Sequence, residues 1–174
     1  MAESARRKTL RARPAVPDDA AMIARIYNEG INERIATFET AHRTSDDIAA
    51  WFGRRYPVVV VTDGDDVIAF ASTSTYRPRE CYAGIAEFSV YVARSARGRG
   101  AGRLAMRTLI AEAERAGFRK LVSRVFTDNT PSLNLLGALG FREVGVYERH
   151  GQLDGVWRDV VIVERLLTPE RVTG

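Results

Sequence analysis

Apolar positions along the chain recur at two periods, about 3.6 and about 2 residues, and the switches between them mark out its elements. Thr9 to Arg13 is a possible first strand. Beyond Pro14 and Pro17, the helical spacing of Ile23, Ile26 and Tyr27 predicts a helix that Gly30 ends. Thr44 can cap a second helix carrying Ile48, Trp51 and Phe52 on one face. Asn32 to Arg43, between the two, has neither period and sets Phe38 among polar residues, so it reads as a loop beside the site. Val58 to Thr62, the turn residues Asp63 and Gly64, and Val67 to Tyr76 predict an antiparallel hairpin whose second arm ends at Pro78.

The second half repeats this alternation with different spacing. A strand from about Ile85 to Val92 precedes a helix with Ala101, Leu104, Ala105 and Leu109 on one face, closed by Gly117. Leu121 to Phe126 then resumes as a strand, completing a β-α-β unit. Thr130 and Pro131 suit the cap and first position of a short helix closed by Gly140, and two strands follow around a turn from Gly151 to Gly155. The expected fold class is α/β, of the α+β type: a single domain over residues 9–167 with a mixed, mostly antiparallel central sheet flanked by helices. Residues 1–8 and 168–174 read as tails.

Composition narrows the function classes. At 174 residues, 45% hydrophobic and 28% charged, the chain can bury its own core as one soluble domain without a metal or disulfide. Cys81 is the only cysteine, and with two histidines it falls short of a structural zinc set, so no metal site is expected and a reducing compartment is the natural setting. No run approaches the roughly 18 apolar residues of a membrane span, and Met1 to Arg13 lacks a signal peptide's apolar stretch, which predicts a cytoplasmic protein with no membrane partner. The net charge of +4 comes from interspersed acids and bases, and it fits a bound polyanion as well as a nucleic acid.

One stretch does carry chemistry: Arg97-Gly98-Arg99-Gly100-Ala101-Gly102 follows a strand directly and opens a helix. A strand, a glycine turn and a helix start leave backbone N–H groups unpaired and aimed one way, with the positive end of the helix dipole behind them. Glycines let phosphate oxygens approach, and Arg97, Arg99 and Arg103 supply charge, so a pyrophosphate is the favoured ligand. No Gly-Lys-Ser/Thr ending marks a P-loop, and the glycine spacing and flanking hairpins fit a Rossmann site poorly. The loop lacks the interleaved aromatics that stack on RNA bases, so no nucleic-acid partner is expected.

Arg97, Gly100 and Gly102 match the pyrophosphate signature of the GNAT superfamily of N-acyltransferases, which the chain resembles over about Arg11 to Leu167. More narrowly, Glu87-Phe88-Ser89-Val90-Tyr91-Val92, Tyr27-Asn28, Thr37-Phe38 and Gly155-Val156-Trp157-Arg158-Asp159 look like the phosphinothricin N-acetyltransferase group. The resemblance implies acetyl-CoA as cofactor. Its pyrophosphate would rest on Gly98, Arg99, Gly100, Ala101, Gly102 and Arg103 beside Arg97, its pantetheine along Val90, Tyr91 and Val92, with contacts to Asn129 and Ser132. A β-bulge near Ser89 or Val90 is implied as the device that splays the strands.

Glu87 matches the family's catalytic glutamate and is the expected general base, with Ala86 and Phe88 as apolar neighbours that would desolvate it; the alternative is a plain solvent-facing strand residue. Arg77 and Arg79 stand where the narrower group keeps arginine beside its pocket, with Tyr27 and Phe38 as candidate walls. The implied substrate is a small anionic amino acid such as phosphinothricin, methionine sulfoximine or arsinothricin, and the implied assembly a homodimer. Leu136 stands where many relatives carry tyrosine or histidine, which leaves a general acid unassigned, with neither Tyr91 nor Tyr147 selected. Cys81, His42 and His150 read as ordinary residues, and Trp51 and Trp157 as core. Rival functions are acetylation of a protein N-terminus or polyamine, and a non-catalytic acyl-CoA sensor or nucleic-acid binder.

Overall fold

Seven strands form one sheet in the order β1-β2-β3-β4-β5-β7-β6: β1 (Arg11–Pro14), β2 (Val58–Asp63), β3 (Asp66–Thr75), β4 (Ile85–Val92), β5 (Lys120–Phe126), β6 (Arg142–Leu153) and β7 (Val156–Leu166). The computed structural model describes residues 9–168; the two tails expected from the sequence lie outside these, apart from Thr168. All pairings are antiparallel except β4 with β5, as a mixed, mostly antiparallel sheet requires. Four helices cover it: α1 (Ala20–Glu33), α2 (Ser45–Ala49), α3 (Ala101–Arg115) and α4 (Thr130–Ala138).

The continuous valine run of β2 is explained by burial on both faces. Val59 and Val61 pack into the core under α3, with Met106, Leu109 and Phe118, whereas Val58 and Val60 face α1 and α2 with Ile23, Ile26, Ile48 and Phe70. Thr44 caps α2 as expected, its hydroxyl accepting from Asp47 N–H while the Asp47 carboxylate accepts from Thr44 N–H. β1 can include Pro14 because it lies at the sheet edge.

Several boundaries differ from the sequence reading. Helix α1 continues through Gly30 and ends at Arg34, which adopts the left-handed conformation at φ 59°. Gly30 is there for close approach: a Cβ on it would lie 2.7 Å from two ring carbons of Tyr91. Asn129, not Thr130, caps α4, its side chain accepting from Ser132 N–H. The last hairpin turns at Asp154 and Gly155, both at positive φ, while Gly151 lies within β6 against the Phe38 ring. Trp157 is 54% exposed rather than core, because it sits on the outer β6–β7 hairpin with no helix over it.

Asp19, at the entry to α1, is buried and ties β1 to the helix. Arg13 donates to both its carboxylate oxygens at 2.7 and 2.9 Å, and Val16 N–H donates at 2.8 Å. Burial favours the neutral acid, but the Arg13 guanidinium and the Val16 N–H outweigh it and hold the carboxyl below the usual range. This stabilisation is present above the ordinary carboxylate pKa and is lost as pH falls through the depressed one. Asp19→Asn should cost about 1.5 kcal/mol near neutral pH, a value discounted for the exposure of Arg13, and the difference should shrink toward about pH 2; urea unfolding at both pH values measures it.

Candidate active site

Alternation along β4 sends its side chains to two different places. Ala86 and Phe88 enter the core under α3, whereas Tyr91 packs with the cluster under α1. Glu87 and Ser89 share the Tyr91 face. Register with β3 sets Phe70 opposite Tyr91, Ser72 opposite Ser89 and Ser74 opposite Glu87, so this face grades from aromatic to polar along the strand. Phe70 and Tyr91 stack at 5.4 Å, and Tyr27 meets both edge-on. Burial pushes the Tyr91 and Tyr27 phenols up from their ordinary values, so both stay protonated near neutral pH.

Ala86 and Phe88 therefore lie on the opposite face from the Glu87 carboxylate and do not desolvate it. Its neighbour is Arg124 on β5, whose guanidinium donates to Oε1 at 2.9 Å. Arg124 also approaches His150 Nε2 at 3.4 Å.

β4 and β5 pair only from Ile85↔Lys120 to Glu87↔Val122. Beyond Glu87 the strands part, although the β3–β4 register runs unbroken through Ser89 and Val90, so the splay needs no bulge there. Ser123 Oγ donates to Phe88 O at 2.9 Å, which shows that Phe88 turns its backbone toward β5; by alternation Val90 and Val92 do the same, with no strand partner on that side. A small cleft of ≈ 60 Å³ marks the parting, lined by Val90, Ser123, Arg124, Asn129, Ser132 and Leu136 among others. Leu136 is buried there and brings no hydroxyl or imidazole.

The cleft shares Val90, Tyr91, Asn129 and Ser132 with a groove of ≈ 450 Å³ leading to the start of α3. Val92, Arg97, Gly98, Gly100, Ala101, Gly102 and Arg103 line it. Gly98 and Gly100 have φ of 76° and 84°, a conformation that costs other residues roughly 1 to 2 kcal/mol. The first helical hydrogen bond is Leu104 N–H to Gly100 O, so the N–H groups of Ala101, Gly102 and Arg103 have no helical acceptor. Arg99 does not line the groove; its guanidinium turns to Asp63 at 2.9 Å.

Sequence reasoning missed the contribution of α1 and the loop after it: Gly30, Glu33, Ile35 and Ala36 line the groove, with Pro131 and Leu135 opposite. Glu33 is the unexpected charge. Burial opposes its ionisation, but Arg97 at 2.8 Å and Arg94 at 3.0 Å outweigh that and hold the carboxyl below the usual range.

The four expected acceptor residues are not gathered in one cavity. Tyr27 lines a cavity of ≈ 380 Å³ with Trp51, Phe70, Ser72, Ser74, Ser89 and Tyr91. Phe38 instead packs on Phe126 at 4.8 Å and against Gly151, part of a strap from Arg34 to Arg43. Arg34 joins that strap to Asp154 at the hairpin tip at 3.1 Å, and Asn28 clamps its far end through the Arg43 backbone. Arg77 is exposed over the Tyr76 ring, and Arg79 is exposed before a short 3₁₀ turn.

Residues 23–141 match the model of the Acetyltransferase (GNAT) family. The chain belongs to that family. It is 33% identical over 157 residues to the L-methionine sulfoximine/L-methionine sulfone acetyltransferase of Pseudomonas paraeruginosa, covering 86% of this chain and 90% of that protein. With the phosphinothricin N-acetyltransferase of Alcaligenes faecalis it shares 34% identity, over 86% of this chain and 79% of the relative. The structure of a GNAT superfamily phosphinothricin acetyltransferase from Sinorhizobium meliloti in complex with AcCoA superposes with a TM-score of 0.85 at 30% identity, covering 95% and 92% of the two chains.

In this GNAT chain the contact between Gly30 and Tyr91 joins α1 to the splayed strand. Gly30→Ala should force the Tyr91 ring or the helix to shift and destabilise the protein by about 1 to 3 kcal/mol, read by chemical denaturation.

Proposed function

We propose that the chain transfers acetyl from acetyl-CoA directly to the amino group of a small free amino acid of the methionine sulfoximine and phosphinothricin kind, with Glu87 as general base. The supporting observation is the unpaired β5-facing edge of β4, which runs between the N–H cradle of α3 and the Glu87 carboxylate. The donor set suits the group. Left-handed Gly98 and Gly100, with open space where a Cβ would stand, and the free first turn of α3 fit a diphosphate, with Arg103 beside it. The backbone groups of Val90 and Val92 fit the amides of a pantetheine, and Asn129 and Ser132 flank its path.

When bound, acetyl-CoA supplies an activated thioester carbonyl. The chain's own residues do the rest. Glu87 accepts the proton that the substrate ammonium must lose before its nitrogen attacks, directly or through one water. The Val90 N–H, on the open edge, donates to the carbonyl oxygen as charge develops, a contribution of roughly 2.7 to 4 kcal/mol for one such donor. Leu136 donates no proton, and a leaving thiolate with a cysteine-like pKa of about 8.5 needs none. Tyr27 serves the acceptor as an aromatic wall, and the exposed Arg77 and Arg79 add positive charge that draws an anionic acceptor toward the protein.

Glu87→Gln should lower kcat by about 100-fold with acetyl-CoA affinity nearly unchanged, followed by thiol release with methionine sulfone as acceptor. Undiminished turnover removes Glu87 from the base role.

The protein also acts as a homodimer in this reading, in the cytoplasm, where the exposed free thiol of Cys81 stays reduced. Val146, Val156 and Trp157 are 52, 60 and 54% exposed on the edge hairpin, an apolar surface that a second copy would cover. Sedimentation should give twice the chain mass, and Val146→Asp should give a monomer.

A further inference from the structure

Two opposite charges stand side by side where β4 leaves β5. Arg124 Nη2 donates to Glu87 Oε1 at 2.9 Å, and the two side chains remain 46% and 28% exposed. A pair this exposed contributes little to folding, so stability is a weak reason for its position. A guanidinium carries five N–H donors, and Glu87 takes one. Arg124 also lines the cleft, together with Val90 and Ser132. His150, brought in by the irregular stretch between Tyr147 and Gly151 of β6, sets its Nε2 3.4 Å from Arg124 Nη1.

An α-amino acid carries an ammonium and a carboxylate on one carbon. Its complement is a carboxylate and a guanidinium held in contact, which is what Glu87 and Arg124 present. We propose that Arg124 is the specificity-determining residue of the acceptor site, binding the α-carboxylate while Glu87 holds and deprotonates the α-ammonium. The inference rests on the acetyl transfer proposed above and names the head group that reaction selects. An incoming free amino acid exchanges the internal ion pair for two intermolecular ones. Glu87 first takes one proton from the ammonium; the neutral amine nitrogen then bonds to the acetyl carbon, the carbon–sulfur bond breaks with its electron pair leaving on sulfur, and the second nitrogen proton passes through solvent to that thiolate.

The other cations are less well placed for this contact. Arg158 is committed to both oxygens of Asp128 and lies over the Phe126 ring. Arg77 and Arg79 line none of the cavities described above. An acceptor whose carboxylate is masked as an amide or a peptide bond leaves Arg124 on Glu87, and so does a polyamine. The site therefore favours free amino acids over protein N-termini.

Arg124→Gln and Arg124→Lys, assayed with acetyl-CoA against methionine sulfone and its carboxamide, test the assignment. Arg124→Gln should raise KM for the free acid about 100-fold while changing kcat, and KM for the amide, by no more than about threefold; Arg124→Lys should recover part of the loss. Equal losses on acid and amide overturn the proposal, as does an unchanged KM for the acid. Calorimetry of methionine sulfone with CoA-loaded protein gives the same discrimination without turnover: affinity that survives Arg124→Gln also overturns it. Glu87→Gln separates the two readings, since intact kcat in that variant defeats the base assignment while the Arg124 result stands by itself.

Discussion

The separation of β4 from β5 beyond Glu87 is the constraint on which the site depends. A paired strand has no backbone groups to offer a ligand, and β4 is paired from Ala86 to Val92 on the β3 side. On the other side three residues pair and the rest open, so one strand supplies both rigidity and free donors. Ser123 meets the Phe88 carbonyl at the point of parting, which satisfies the first freed acceptor and leaves Val90 and Val92 to the cleft. The Glu87 carboxylate stands at that same point because it is the last residue of the parallel pairing.

Charge in the groove is more balanced than the arginine-rich loop suggests. Of the three arginines in and after the glycine turn, Arg97 is matched by Glu33 and Arg99 by Asp63, leaving Arg103 without an ion pair among the described residues. The positive potential at the start of α3 thus comes from backbone N–H groups and the helix dipole more than from side-chain charge. The arginines anchor the turn to α1 and to the β2–β3 hairpin, which keeps those N–H groups aimed.

The glycine loop was legible because its chemistry is local: a strand end, two left-handed glycines and a helix start are neighbours in sequence. The strands were legible for the same reason, since the valine run of β2 and the turns around it announce themselves. Gly30 misled because its role is a contact with Tyr91, far along the chain, and packing outweighed its stop signal. Glu33 and Arg124 carried no sequence signal. Each is a single charge on a regular element, indistinguishable from a solvated face until folding supplies its partner. Leu136 was visible as a departure from the family pattern, and its burial against the cleft gives that departure a physical meaning.

The strap between α1 and α2 rests on the last hairpin: Phe38 lies on Gly151, where a Cβ would come within 3.0 Å of the ring, and Arg34 grips Asp154 at the tip. That hairpin also presents the broad apolar edge of the sheet. The strap's footing and the apolar edge therefore share one mechanical part, and whatever stiffens that hairpin from outside also limits how far the strap can lift.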